Sequence, residues 1–172
     1  MRTRTTRPLF VALALALALA GQAAAQAREE IAVTGAREWL ALADSGQFGA
    51  TWDQAGQLFQ KSTPREKWEA SLSAARKSYG NLERRNLKTV VVTENLPGAP
   101  QGKYVVTTFE TKFAQAPAAT IEVITSYLEA SDQWKVVGYN VKPVDATGQA
   151  GQPAPQQQQQ QQQTEQKPPQ GN

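Results

Sequence analysis

Apolar positions along the chain follow two periods, and the change from one to the other falls near residue 80. Before it the spacing is helical. Residues 29–44 carry Ala32, Ala36, Trp39, Leu40 and Ala43 three and four residues apart, and Gly46 stands where a left-handed cap ends a helix. Phe48, Trp52, Ala55 and Phe59 mark one face of a second helix. The third start is signalled by Thr63-Pro64-Arg65-Glu66: a hydroxyl at the N-cap, proline at the first helical position and glutamate at the third spell a capping box. Its apolar face is Trp68, Leu72, Ala75 and Tyr79, closed by Gly80.

Beyond residue 80 the period is two. Residues 82–94 contain Val90-Val91-Val92, and residues 96–102 form a Pro/Gly turn. Residues 103–113 set Val105, Thr107, Phe109, Thr111 and Phe113 on one side against Tyr104, Val106, Thr108, Glu110 and Lys112 on the other. After Pro117, residues 119–129 alternate Ile121, Val123, Thr125 and Tyr127 with Thr120, Glu122, Ile124 and Ser126. Ser131-Asp132-Gln133 turns the chain into a last strand, 134–141. Connections this short make the strands antiparallel. The predicted fold class is α+β: three N-terminal helices packed on a four-stranded antiparallel curved sheet.

The two ends read differently. Arg2, Arg4 and Arg7 precede an apolar run from Leu9 to Ala20, followed by small residues that allow cleavage after Ala25 or Ala27. That order is a secretory signal, 1–27, and its apolar run is too short to cross a bilayer, so no stable membrane insertion is expected after cleavage. No cysteine marks a lipoprotein junction and no arginine pair marks a twin-arginine signal, so general export to the periplasm is expected. Residues 143–172 hold Gln156 through Gln163 among prolines and nothing larger than alanine that is apolar after Val144, which predicts a disordered tail. A single domain is left at 28–142.

Composition narrows the chemistry. The chain has no histidine and no cysteine, which excludes histidine-based triads, disulfides and ordinary zinc sites; no cofactor and no metal is expected. The formal charge of +3 is carried by the leader: three of the 18 basic residues and no acid precede residue 28, leaving 15 against 15. A balanced domain offers no basic stripe for nucleic acid.

The sequence Trp39-Leu40 with Asp44-Ser45-Gly46, the turn and strand Leu96-Pro97-Gly98-Ala99-Pro100 with Gly102-Lys103-Tyr104-Val105-Val106, and the closing Trp134-Lys135-Val136-Val137-Gly138-Tyr139 resemble, in that order and spacing, the bacterial family filed as domain of unknown function 4019. The family implies no activity. Helices followed by a four-stranded sheet also resemble the cystatin-like class, with its nuclear-transport-factor-type cones, which implies a fold but not a function.

Candidate site residues are few. Trp39, Trp52, Tyr104 and Tyr139 are candidates for a pocket or an interface, although each helical tryptophan also lies on an apolar stripe where core packing explains it. A cone can enclose an acid/base carboxylate, which directs attention to Asp44, Asp53, Glu110 and Glu122. By position all four read as solvated or capping, and Arg84-Arg85 reads as a solvated strand end, so no catalytic residue is assigned. The expectation is a non-catalytic module binding a small ligand or a protein partner. It would be able to dimerise through an outer sheet face of Tyr104, Val106, Thr108, Ile124, Val137 and Tyr139. The alternative is a small-molecule enzyme using one interior carboxylate.

Overall fold

The computed structural model describes residues 8–144, with side chains from residue 26 onward. The charged start of the expected leader and nearly all of the expected tail lie outside the described residues. The first helix, α1 (Pro8–Asp44), starts 21 residues before the predicted boundary. Proline suits a first helical position, and the Ala/Leu-rich stretch behind it is built from strong helix formers, so nothing interrupts the helix before its cap. That cap is Gly46 at φ 76°, whose neighbour Gln47 donates its N–H back to the Leu42 carbonyl at 2.9 Å.

Among the described residues four helices, not three, precede the sheet. The second predicted helix splits into α2 (Phe48–Asp53) and α3 (Gln57–Ser62) around Gly56. The Gly56 N–H donates to the Val136 carbonyl at 2.8 Å, and a Cβ at this position would lie 2.8 Å from Val137 Cγ1. The helix breaks because its backbone docks on a strand. The last helix, α4 (Arg65–Tyr79), begins one residue later than its capping signal predicts. Pro64 is the N-cap and no side chain caps the helix; the Thr63 carbonyl instead accepts the Trp52 indole N–H at 2.8 Å. The capping box does not form.

Strands β1 (Leu82–Thr93), β2 (Tyr104–Phe113), β3 (Thr120–Leu128) and β4 (Trp134–Pro143) make one antiparallel sheet in the order β1-β2-β3-β4. Its inner face packs on α1. Ala36, Trp39 and Leu40 meet Phe109, Ile124 and Val136, and Trp68 and Tyr139 close over them. Trp39 and Trp68 lie with ring centroids 6.0 Å apart, and Phe59 meets Trp68 edge-on at 4.8 Å. The tryptophan stripes are core.

β3, and β4 beyond its bulge, present the opposite face from the one expected. On β3 the buried set is Thr120, Glu122, Ile124 and Ser126. On β4, Val136 and Tyr139 both turn inward although they are three residues apart. A register shift makes this possible: Thr125 faces Gly138 and Ser126 faces Val136, leaving Val137 as the extra residue. One extra residue reverses the phase of everything beyond it. The proposed outer face therefore loses Ile124 and Tyr139 to the core. Tyr104 is also covered, by Tyr127 at 5.0 Å, with its hydroxyl donating to the Pro100 carbonyl. Val106, Thr108 and Val137 are what is left of that face.

Candidate functional site

Five elements and one helix end converge on a closed group of charges. Asp44 is the last residue of α1, Arg76 lies in the last turn of α4, Arg85 is on β1, Thr111 on β2, Glu122 on β3 and Tyr139 on β4. Arg76 reaches inward because it continues the α4 stripe four residues after Leu72. Arg85 sits opposite Thr111, and Glu122 sits opposite Phe109, so register alone aims both side chains at the inner face.

Glu122 is completely buried, which corrects its reading as a solvated residue on a polar phase. Its Oε1 accepts from Arg76 Nη2 at 3.1 Å and from the Tyr139 hydroxyl at 2.7 Å. Its Oε2 accepts from Arg85 Nε at 2.7 Å and from the Thr111 hydroxyl at 2.6 Å. Asp44 joins the same two guanidiniums from the other side: Arg76 Nη1 at 2.9 Å, Arg85 Nη1 at 2.6 Å and Arg85 Nη2 at 3.0 Å. Two cations and two anions cancel. Arg85 is therefore no solvated strand end, whereas Arg84 is exposed.

The electrostatics follow from this ring of charges. Burial works to lower the affinity of Arg85 for its proton, but the hydrogen bonds and charges of Asp44 and Glu122 outweigh it and raise its pKa above the ordinary arginine value. Burial, with the adjacent Glu122 charge, also pushes the Tyr139 hydroxyl well above the ordinary tyrosine value. Asp44 at the end of α1 faces the negative pole of that helix, an unfavourable place for an acid that the two arginines offset. The Arg76 guanidinium lies 5.0 Å above the Phe113 ring and 5.7 Å from that of Tyr139, while its Nε has no partner.

The chemical capacity of the two carboxylates differs. A carboxylate has about four lone-pair directions, and four donors occupy them at Glu122. No substrate proton can reach it without breaking the group. Asp44 accepts two hydrogen bonds from Arg85, pairs with Arg76 at 2.9 Å, and keeps a partly exposed edge on an open cleft of about 450 Å³. Arg76, Ser73, Lys77, Asn81 and Gln115 line the same cleft, with Phe48 and Leu82 as its apolar wall. A second groove of about 450 Å³ lies between α1 and β1, along Glu29, Glu30, Val33, Leu87 and Val90.

The sequence pattern points elsewhere. Trp39 and Tyr139 do meet, with ring centroids 5.5 Å apart, but in the core; Trp52 and Tyr104 make no ring contact with them, and none of the four lines the cleft beside Asp44. Trp39 and Trp134 flank a smaller cavity of about 120 Å³. Asp53 pairs with Arg65 at 2.9 Å and Glu110 with Lys88 at 3.3 Å, both at the surface. Among the described residues no three acidic side chains gather as metal ligands, and no helix is long and apolar enough to cross a membrane. The one local signal of the charge group is Arg76, which stands four residues after Leu72 on the buried stripe of α4, where an arginine requires a buried acid.

A family model described as "Protein of unknown function (DUF4019)" matches residues 35–139, from the last three turns of α1 to Tyr139. The chain belongs to the DUF4019 family. The DUF4019 match spans every member of the charge group, Asp44, Arg76, Arg85, Thr111, Glu122 and Tyr139. Neither the curated proteins nor the solved structures compared with the chain gave a match.

Proposed function

We propose that this DUF4019 domain is an exported, non-catalytic module that binds a small polar ligand, or a short polar segment of a partner protein, in the cleft where α1 and α4 end. The observation that carries the reading is the saturation of Glu122 by four donors beside an open cleft whose polar side chains are directed at solvent. The charge group acts as a rigid floor, and Ser73, Lys77, Asn81 and Gln115 supply hydrogen bonds above it. Preorganised polar groups of this kind fix a ligand without activating it. Helices laid on an antiparallel sheet support placing the fold in the cystatin-like class. The leader order supports export to the periplasm with cleavage after Ala25 or Ala27. An intact mass of the periplasmic protein that retains Met1 would refute that part.

One observation favours a second reading. Asp44 lines the cleft with its side chain 17% exposed, so a small-molecule enzyme with Asp44 as its acid/base is the alternative. A panel of small carboxylates, phosphates, amides and sugars, screened by thermal shift on the purified protein, separates the two. Binding that Ser73→Trp weakens at least about tenfold, with the compound recovered unchanged, is the expected result. Conversion of a bound compound that Asp44→Asn abolishes would replace the binding reading with the enzyme.

A further inference from the structure

The two edges of the sheet are not equivalent. Along β4 the backbone of Gly56 donates to Val136 and covers part of that edge. Along β1 no backbone among the described residues bonds to the edge in this way, α1 lies beside Leu87 and Val90 only across an open groove, and the strand is 12 residues long, with Val91 51% and Val92 49% exposed. A long apolar edge is a template for another strand, and proteins that stay monomeric protect it with charges, proline or bulges. Here protection stops part-way. The pairing of β1 with β2 slips between Leu87 and Thr89, with Lys88 as the extra residue, and then runs residue for residue from Thr89 to Thr93. The regular stretch 89–93 is centred on Val91, with Lys88 just before it and Glu94 just after it.

We propose that β1 pairs antiparallel with β1 of a second copy of this chain, on a two-fold axis at Val91, joining two four-stranded sheets into one of eight strands. The argument is charge complementarity within a symmetric register. An axis at Val91 sets Thr89 against Thr93, Val90 against Val92, and the half-exposed Lys88, whose ammonium also lies 3.3 Å from Glu110 of its own chain, against Glu94 of the second copy, twice by symmetry. Opposite charges and β-branched residues facing each other across strands are the pairs that stabilise a sheet. Neighbouring axes fail. At Thr89 the axis faces Lys88 with Val90, at Lys88 it faces lysine with lysine, and both run through the bulge. At Val90 it faces Lys88 with Val92. The proposal stands apart from the cleft, which lies at the other end of β1 beside Leu82.

The test uses the purified protein and the absence of native cysteine. Opposed Cα atoms in an antiparallel pair lie about 4.5–5.5 Å apart, within disulfide reach. Val91→Cys is therefore expected to cross-link to a covalent dimer under mild oxidation, while Thr89→Cys and Val106→Cys stay monomeric. Sedimentation of the unaltered protein is expected to show a dimer, weakened about tenfold by Lys88→Glu or by Glu94→Lys and restored when both are present. Four results would overturn the proposal. They are a protein that sediments as a monomer up to about 1 mM, a dimer indifferent to both charge reversals, single losses not restored in the double variant, and cross-linking from Val106→Cys or Thr89→Cys equal to that from Val91→Cys.

Discussion

Removing the Glu122 carboxylate tests the charge group most directly. Glu122→Ala deletes the acceptor of four hydrogen bonds and leaves Arg76 and Arg85, each about one-tenth exposed, with only Asp44 to balance them. One positive charge is then uncompensated in the interior, and the Thr111 and Tyr139 hydroxyls lose their partner. Breaking a buried ion pair by removing one member costs about 3–5 kcal/mol. At about 4 °C per kcal/mol for a domain of this size, the Tm is expected to fall by about 12–20 °C. Glu122→Gln keeps the shape and part of the accepting capacity, so it falls between this variant and the parent. Adding Arg85→Met to Glu122→Ala removes the excess cation, and the double variant is expected to be more stable than the sum of the two single changes predicts. Urea unfolding followed by fluorescence of the four tryptophans gives the three free energies on one scale. A Glu122→Ala protein within about 1 kcal/mol of the parent, or strictly additive changes, would refute the reasoning and place these charges in contact with water.

Tyr139→Phe tests the same group from the alkaline side. The folded state holds the Tyr139 proton more tightly than the unfolded chain, so the stability this contributes is complete below the ordinary tyrosine value and is lost as the pH rises through the raised one. Stability measured from about pH 9 to 12 should therefore fall less steeply in Tyr139→Phe, which at neutral pH costs about 1–3 kcal/mol for the lost hydrogen bond to a charged acceptor. A parent and variant with the same alkaline slope would mean that this hydroxyl titrates freely. Trp68→Ala should cost about 3–5 kcal/mol, because its ring packs on Trp39, Phe59 and Tyr139 and its indole N–H donates to the Thr51 hydroxyl at 2.8 Å. A urea midpoint unchanged by the substitution would put that ring outside the core.

What the chain determined by itself was local. Helical spacing from Ala32 to Ala43, the glycine at 46, the period of two on β2 and the short turns produce helices followed by four antiparallel strands whatever they pack against, because each signal acts within a few residues. The tertiary structure decided three things that no local signal contains. Gly56 breaks a helical stripe because its backbone must reach Val136, a contact across 80 residues of chain. The extra residue at Val137 turns both Val136 and Tyr139 inward, so the face of β4 follows from its pairing with β3 and not from its own alternation. Glu122 shows the same dependence most strongly. In the sequence it is a charged residue among threonine and serine, the pattern of a wetted face. It can be buried only because Arg76 and Arg85, 46 and 37 residues away, arrive with donors for both of its oxygens. Burying a charge is unfavourable until its partners are in place, and partners that distant are brought together only by the fold.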